Sequence, residues 1–180
     1  MEEKGFSVRK IVVSGVLAAI AILLGWTRLG FIPVPNLAGN ATIMHVPAII
    51  GGVMEGWLVG GIVGTIFGIF SFLQATTPLF KDVLVAIFPR IFIGITAYFT
   101  YAGLKRVNEY VAVITAAIVG TLTNTVLVLG MAVIRGYLPM EAIPPIIPQA
   151  IAEVIIAAII TVAVVAAWKR IETGRGEAEM

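Results

Sequence analysis

IIPQAIAEVIIAAIITVAVVAAW, residues 146–168, decides the class of this chain, because the run holds a single ionisable side chain, Glu153. A helix rising about 1.5 Å per residue crosses the roughly 30 Å of membrane hydrocarbon in about 20 residues, so this stretch is long enough to span. The 180 residues as a whole agree, with 59% hydrophobic and 12% charged. Soluble domains carry about 45–50% and about 25%. Too little polar surface remains to cover a water-facing globule, which excludes a soluble enzyme and a disordered chain. Nineteen glycines lack the period of collagen and suit close helix packing in lipid. Cysteine is absent and histidine occurs once, so disulfides, thiolate sites and a His-rich metal cage are excluded. The sequence describes an all-α integral membrane protein, multi-pass in the cell membrane, with no metal and no cofactor.

Working outward, five more apolar segments precede the last one. The spans fall at residues 7–27, 41–54, 57–73, 82–104, 110–134 and 146–168, in one membrane domain covering 1–180 with a loose tail at 169–180. The second, about 14 residues long, could also be re-entrant or interfacial. Basic residues before the first span give it the look of a signal peptide, but Trp26, Thr27 and Arg28 stand where a small-residue cleavage site would be. It is read as an uncleaved helix. Six spans place both ends on one side. Lys4, Arg9, Lys10, Lys105, Arg106, Lys169, Arg170 and Arg175 then share that side, against Arg28, Lys81 and Arg135 on the other. By the positive-inside rule both termini are cytoplasmic.

Proline adds a second asymmetry. Pro33, Pro35, Pro78, Pro139, Pro144, Pro145 and Pro148 lie in or beside outer loops, and Pro47 and Pro89 in the outer halves of helices. Irregular backbone at membrane depth survives where it is buried in protein or lines a cavity, so this pattern points to a structured outer cap over a binding site.

Ionisable groups inside spans cost roughly 2.5–3.5 kcal/mol each on insertion scales and need a reason. Arg90 and Glu153 fall at similar depth, so they either pair with one another or contact a substrate. Gln149 shares a helix face with Glu153, four residues on. Thr121, Asn124 and Thr125 form a polar stripe on the fifth span, the threonines read as inter-helix hydrogen bonders and Asn124 as a candidate pocket residue. His45, just before Pro47, is either a packing residue or a ligand contact. Asn36, Asn40, Phe72, Gln74, Phe80 and Tyr137 lie in or beside the outer loops, where a gate belongs. Gly56, Gly60, Gly64 and Gly68 repeat every four residues, a ridge that lets backbones approach closely. Ser14/Ala18 and Gly15/Ala19 on the first span either pack internally or present a smooth face to another subunit.

Motifs for catalysis, nucleotide binding and nucleic-acid binding are missing from the sequence. Any ATP-driven work therefore falls to a partner.

The stretch ATIMHVPAIIGGVMEGWLVGGIVGTIFGIFS (residues 41–71) resembles the second and third helices of the substrate-binding S components of energy-coupling-factor (ECF) vitamin transporters. FPRIFIGITAY (88–98) and GTLTNTVLVLGM (120–131) resemble the fourth and fifth, and the likeness extends over residues 10–168. TIMHVP, FPR and LTNT look most like the pantothenate type, while the run between the first two helices differs from the riboflavin type.

The resemblance implies a six-helix bundle with a vitamin pocket on the outer side, gated by outer loops. It also implies partners: a membrane coupling subunit and two cytoplasmic ABC ATPases, with no catalysis by this chain. The Ala-x-x-x-Ala mark of the family's coupling face corresponds here to Ser14/Ala18 and Gly15/Ala19. The expected function is a high-affinity pantothenate-binding subunit. Riboflavin or another B vitamin remains an alternative, as does a stand-alone secondary transporter, although the internal repeats usual for the latter are not visible.

Overall fold

The computed structural model describes residues 7–33 and 40–178, with side chains described for 7–32 and 41–170. Six principal helices follow the six apolar segments in order: α1 (Val8–Trp26), α2 (Val46–Glu55), α3 (Trp57–Leu73), α5 (Phe88–Leu104), α6 (Glu109–Ile134) and α7 (Ile147–Ala178). A single turn, α4 (Val83–Ala86), precedes α5. Strands β1 (Phe31–Pro33) and β2 (Asn40–Thr42) pair antiparallel, with Ile32 opposite Ala41.

Local chemistry explains where these elements start and stop. Asn108 caps α6, its side-chain oxygen accepting from the Val111 N–H at 3.1 Å. At the other end of α6 the Gly136 N–H donates to Val133 and the Tyr137 N–H to Ala132. Gly136 takes φ +73°, the left-handed residue that such a double-bonded helix end requires.

The expected second span, 41–54, divides instead into β2 and a helix that begins at Val46 with Pro47 in its first turn. Proline suits that position because its missing N–H has no partner there in any case. The expected fourth span, 82–104, breaks at Ile87 for a related reason. Pro89 has no N–H to offer the Val85 carbonyl four residues back, so a continuous helix would leave that carbonyl without its donor. At the far end, α7 runs to Ala178, through much of the stretch expected to be a loose tail.

Helix α2 lies at the centre, with every residue from Val46 to Val53 buried and contacts to α1, α3, α5, α6 and α7. Its 10 residues make a rod of about 15 Å, too short to cross lipid, and protein surrounds it instead. Glycine allows the enclosure. A Cβ added at Gly60 would stand 2.8 Å from the Cα atoms of both Gly52 and Gly94, where α2, α3 and α5 meet. Gly64 and Gly68 continue the ridge against the Arg90 carbonyl and Ile87. Gly56 departs from the ridge and serves as the joint between α2 and α3, at φ +106°, a conformation nearly confined to glycine.

Outward-facing Ile11, Val12, Val16, Ile20 and Leu23 on α1, with Ile151, Ile155 and Ile159 on α7, are exposed apolar surface suited to lipid. The protein is a multi-pass membrane protein. Arg9, near the start of α1, lines a cleft together with Lys105 and Lys169, so the start of α1, the end of α5 and the Lys169 region of α7 lie at one basic end. The β-hairpin and the turns before α4 and α7 form a cap at the other.

Candidate binding site beneath the cap

Three helices and the hairpin carry the buried polar groups. Arg90 stands in the first turn of α5 and is 5% exposed. Its Nη1 donates to the Val85 carbonyl, the group left without a donor by Pro89. The guanidinium carbon lies 5.7 Å from the centroid of the Phe67 ring and 5.2 Å from that of Phe80, so two aromatic faces hold the cation. Its Nε has no hydrogen-bond partner.

His45 caps the start of α2 and is fully buried, its Nε2 3.0 Å from the Thr121 hydroxyl on α6. Asn124 lies one turn along α6 from Thr121, towards the cap, and is 7% exposed. Among the described residues, His45 Nδ1 and Asn124 Oδ1 join Arg90 Nε as buried atoms without a partner. Leaving such an atom unpaired costs about 1–3 kcal/mol.

Glu153 on α7 is 6% exposed and does not pair with Arg90. Its Oε1 accepts from the Thr42 N–H at 2.8 Å and from Gln149 Nε2 at 3.3 Å. The carboxylate thereby ties β2 to α7. The backbone of Asn40 belongs to β2 and pairs with Pro33, while its side chain lies outside the described residues, as does Asn36 altogether. Gln74 is the exposed C-cap of α3, with Phe72 half-buried beside it. Tyr137 is exposed and its hydroxyl donates to Asp82 Oδ2 at 3.3 Å. The two threonines divide: Thr121 meets His45 across helices, whereas Thr125 donates to the Thr121 carbonyl within α6.

On α1 the paired small residues also divide. Ser14 and Ala18 are buried, and the Ser14 hydroxyl donates to the Lys10 carbonyl at 2.7 Å. Gly15 and Ala19 face outward, and a Cβ at Gly15 would meet nothing within 4 Å. A helix advances about 100° per residue, so one face packs inside while the next stays open.

This architecture belongs to a known kind of protein. Residues 9–165 match the family described as "ECF transporter, substrate-specific component". The chain belongs to that family. It is similar to the pantothenic acid transporter PanT of Lactococcus lactis subsp. cremoris (strain MG1363), 34% identical over 152 residues, covering 70% of this chain and 76% of PanT. Its fold is similar to that of a solved structure described as "Structure and mechanism of the S component of a bacterial ECF transporter". There the TM-score is 0.64 at 19% identity, over 92% of this chain and 96% of the other.

An ECF substrate-specific component is a transport subunit rather than an enzyme. Sequence reasoning missed one part of this ECF component. Asp82 accepts from Arg135 Nε at 2.7 Å, from the Tyr137 hydroxyl and from the Leu84 N–H, where it caps α4. The Arg135 guanidinium holds the Asp82 carboxyl below the usual carboxylate range. Two cap segments 53 residues apart are thus latched together. A lone Asp before an apolar run is an ordinary helix cap in sequence, and nothing local announces the distant arginine.

Proposed function

We propose that this chain is the pantothenate-binding S component of an ECF-type importer. It binds the vitamin beneath the cap and works with a membrane coupling subunit and two ABC ATPases. The similarity to PanT carries the choice of vitamin. The site's chemistry supports it. Pantothenate has one carboxylate, an amide and hydroxyls on a small apolar body, and in a low-dielectric pocket these call for a cation and hydrogen-bonding groups. Arg90 is the cation, held at the site by two aromatic rings with Nε still unpaired. Asn124 and His45 supply the hydrogen bonds. Glu153 and Gln149 hold the hairpin that closes over the ligand. The basic end, carrying Arg9, Lys10, Lys105 and Lys169, is the cytoplasmic one, and the cap faces outward.

Mass spectrometry of the small molecule that copurifies with the detergent-solubilised protein tests the reading. Pantothenate is expected, and a yellow, riboflavin-bearing preparation overturns the choice of vitamin. Uptake into vesicles is expected only when the coupling and ATPase subunits are coexpressed. Uptake by the chain alone overturns the S-component mechanism in favour of a secondary transporter.

A further inference from the structure

A polar cavity of about 480 Å³ opens at the basic end, between the start of α1, the α2–α3 joint, the end of α5 and residues 165–169 of α7. That volume falls in the usual range for small-ligand sites, roughly 300–1,000 Å³. Arg9, Lys10, Lys105 and Lys169 line it, with Glu55 as the one carboxylate among the lining residues. Glu55 is engaged already, since Arg9 Nε donates to its Oε1 at 2.8 Å. Glu109 pairs with Lys169. Lys10 and Lys105 have no carboxylate partner among the described residues, and the Lys105 ammonium rests 5.8 Å from the centroid of the Tyr101 ring. Counted over the described lining residues, the cleft therefore carries net positive charge in an aromatic setting.

Its rim has a second character. Trp57 and Trp168 border the cleft and are 51% and 37% exposed, beside the exposed Leu58. Exposed indoles at the edge of an apolar run mark the level of the lipid headgroups, apolar on one side and wet on the other. Basic pockets between helices at that level bind anionic lipid headgroups. A soluble anion would use the lysines and leave the indoles without a role.

We infer that this cleft binds the phosphate-bearing headgroup of an anionic phospholipid from the surrounding leaflet, with Lys10 and Lys105 on the phosphate and Trp57 and Trp168 against the upper acyl chains. The site is separate from the vitamin site. It depends on the proposed function only for which leaflet supplies the lipid.

Quenching of tryptophan fluorescence by lipids brominated on their acyl chains reads the occupancy. The protein carries Trp26→Phe to remove the indole at the far end of α1 and is reconstituted into phosphatidylcholine bilayers. Brominated phosphatidylglycerol is expected to quench Trp57 and Trp168 at about a tenfold lower mole fraction than brominated phosphatidylcholine, the preference that two lysines near an anionic headgroup would carry. The preference should vanish in Lys10→Gln/Lys105→Gln, survive in Lys10→Arg/Lys105→Arg and survive in Arg106→Gln, which lies outside the cleft. Equal quenching by the two lipids overturns the proposal. So does an equal loss in Arg106→Gln, which would mean a diffuse field rather than a site. Relief of quenching by millimolar inorganic phosphate would assign the cleft to a free anion and overturn the lipid assignment. An unchanged lipid preference in Lys10→Gln/Lys105→Gln, with loss of copurification of the coupling subunit, would overturn it in favour of a protein contact. Pantothenate calorimetry on the same variants should be unchanged, which keeps this test independent of the vitamin site.

Discussion

At Arg90 the guanidinium satisfies the Val85 carbonyl that Pro89 leaves without a donor, and Nε stays unpaired between two phenylalanine rings. One side chain thus supports the break in the helix and presents charge beneath the cap. Arg90→Met should lower pantothenate affinity at least about tenfold, equivalent to about 1.4 kcal/mol. Isothermal calorimetry on the inserted, detergent-solubilised variant checks this, and unchanged affinity would leave Arg90 a purely structural residue. The helix break was not anticipated, since residues 82–104 read as one span with Pro89 in its outer half, although a proline there removes a defined hydrogen bond. The separation of Arg90 from Glu153 was equally hidden. Depth along a span is read by counting residues, whereas pairing depends on how each helix is rotated about its own axis.

Elements meet here through glycine. Gly60 and Gly94 touch across α3 and α5, so Gly60→Ala must push two backbones apart and should cost about 1–3 kcal/mol, the usual range for overpacking. Gly130 on α6 has open space around its missing Cβ, and Gly130→Ala should be neutral or stabilise by about 0.5–1 kcal/mol through helix propensity. Thermal unfolding of the two variants in the same detergent separates the effects. The cap latch makes a pH prediction at the same scale. Asp82 has a folded-state value below its ordinary 3.8, so its stabilisation is complete above that ordinary value and is lost as pH falls through the lower folded one. Amide exchange of residues 135–146 should stay constant between about pH 5 and 7 and rise below about pH 4 relative to intrinsic rates. Asp82→Asn should show the faster exchange at every pH.

For the whole molecule the open question of sequence was which small-residue face of α1 looks outward. Ala18 is buried and Gly15 and Ala19 are exposed. A partner docking on α1 would meet Gly15 and Ala19, so Ala19→Trp should abolish uptake with the coexpressed ATPase module while leaving vitamin binding intact. Ala18→Trp should impair binding and folding as well, because the indole enters the bundle. Uptake and calorimetry on both variants, side by side, decide the matter. Full uptake by Ala19→Trp would remove this face from the coupling surface.

Membrane class, the number and order of the principal helices and the presence of a glycine ridge were determined by the sequence alone. Each depends on local quantities: the length of an apolar run, the cost of charge in lipid and the spacing of residues without side chains. Tertiary structure alone decided that Glu153 holds the Thr42 N–H instead of Arg90, that Asp82 reaches Arg135, and that α2 is enclosed by protein rather than lipid. Those contacts join residues 53 or 111 apart in the chain. They depend on the rotation and crossing of whole helices, and rotating one helix by a single residue step of about 100° would exchange every partner.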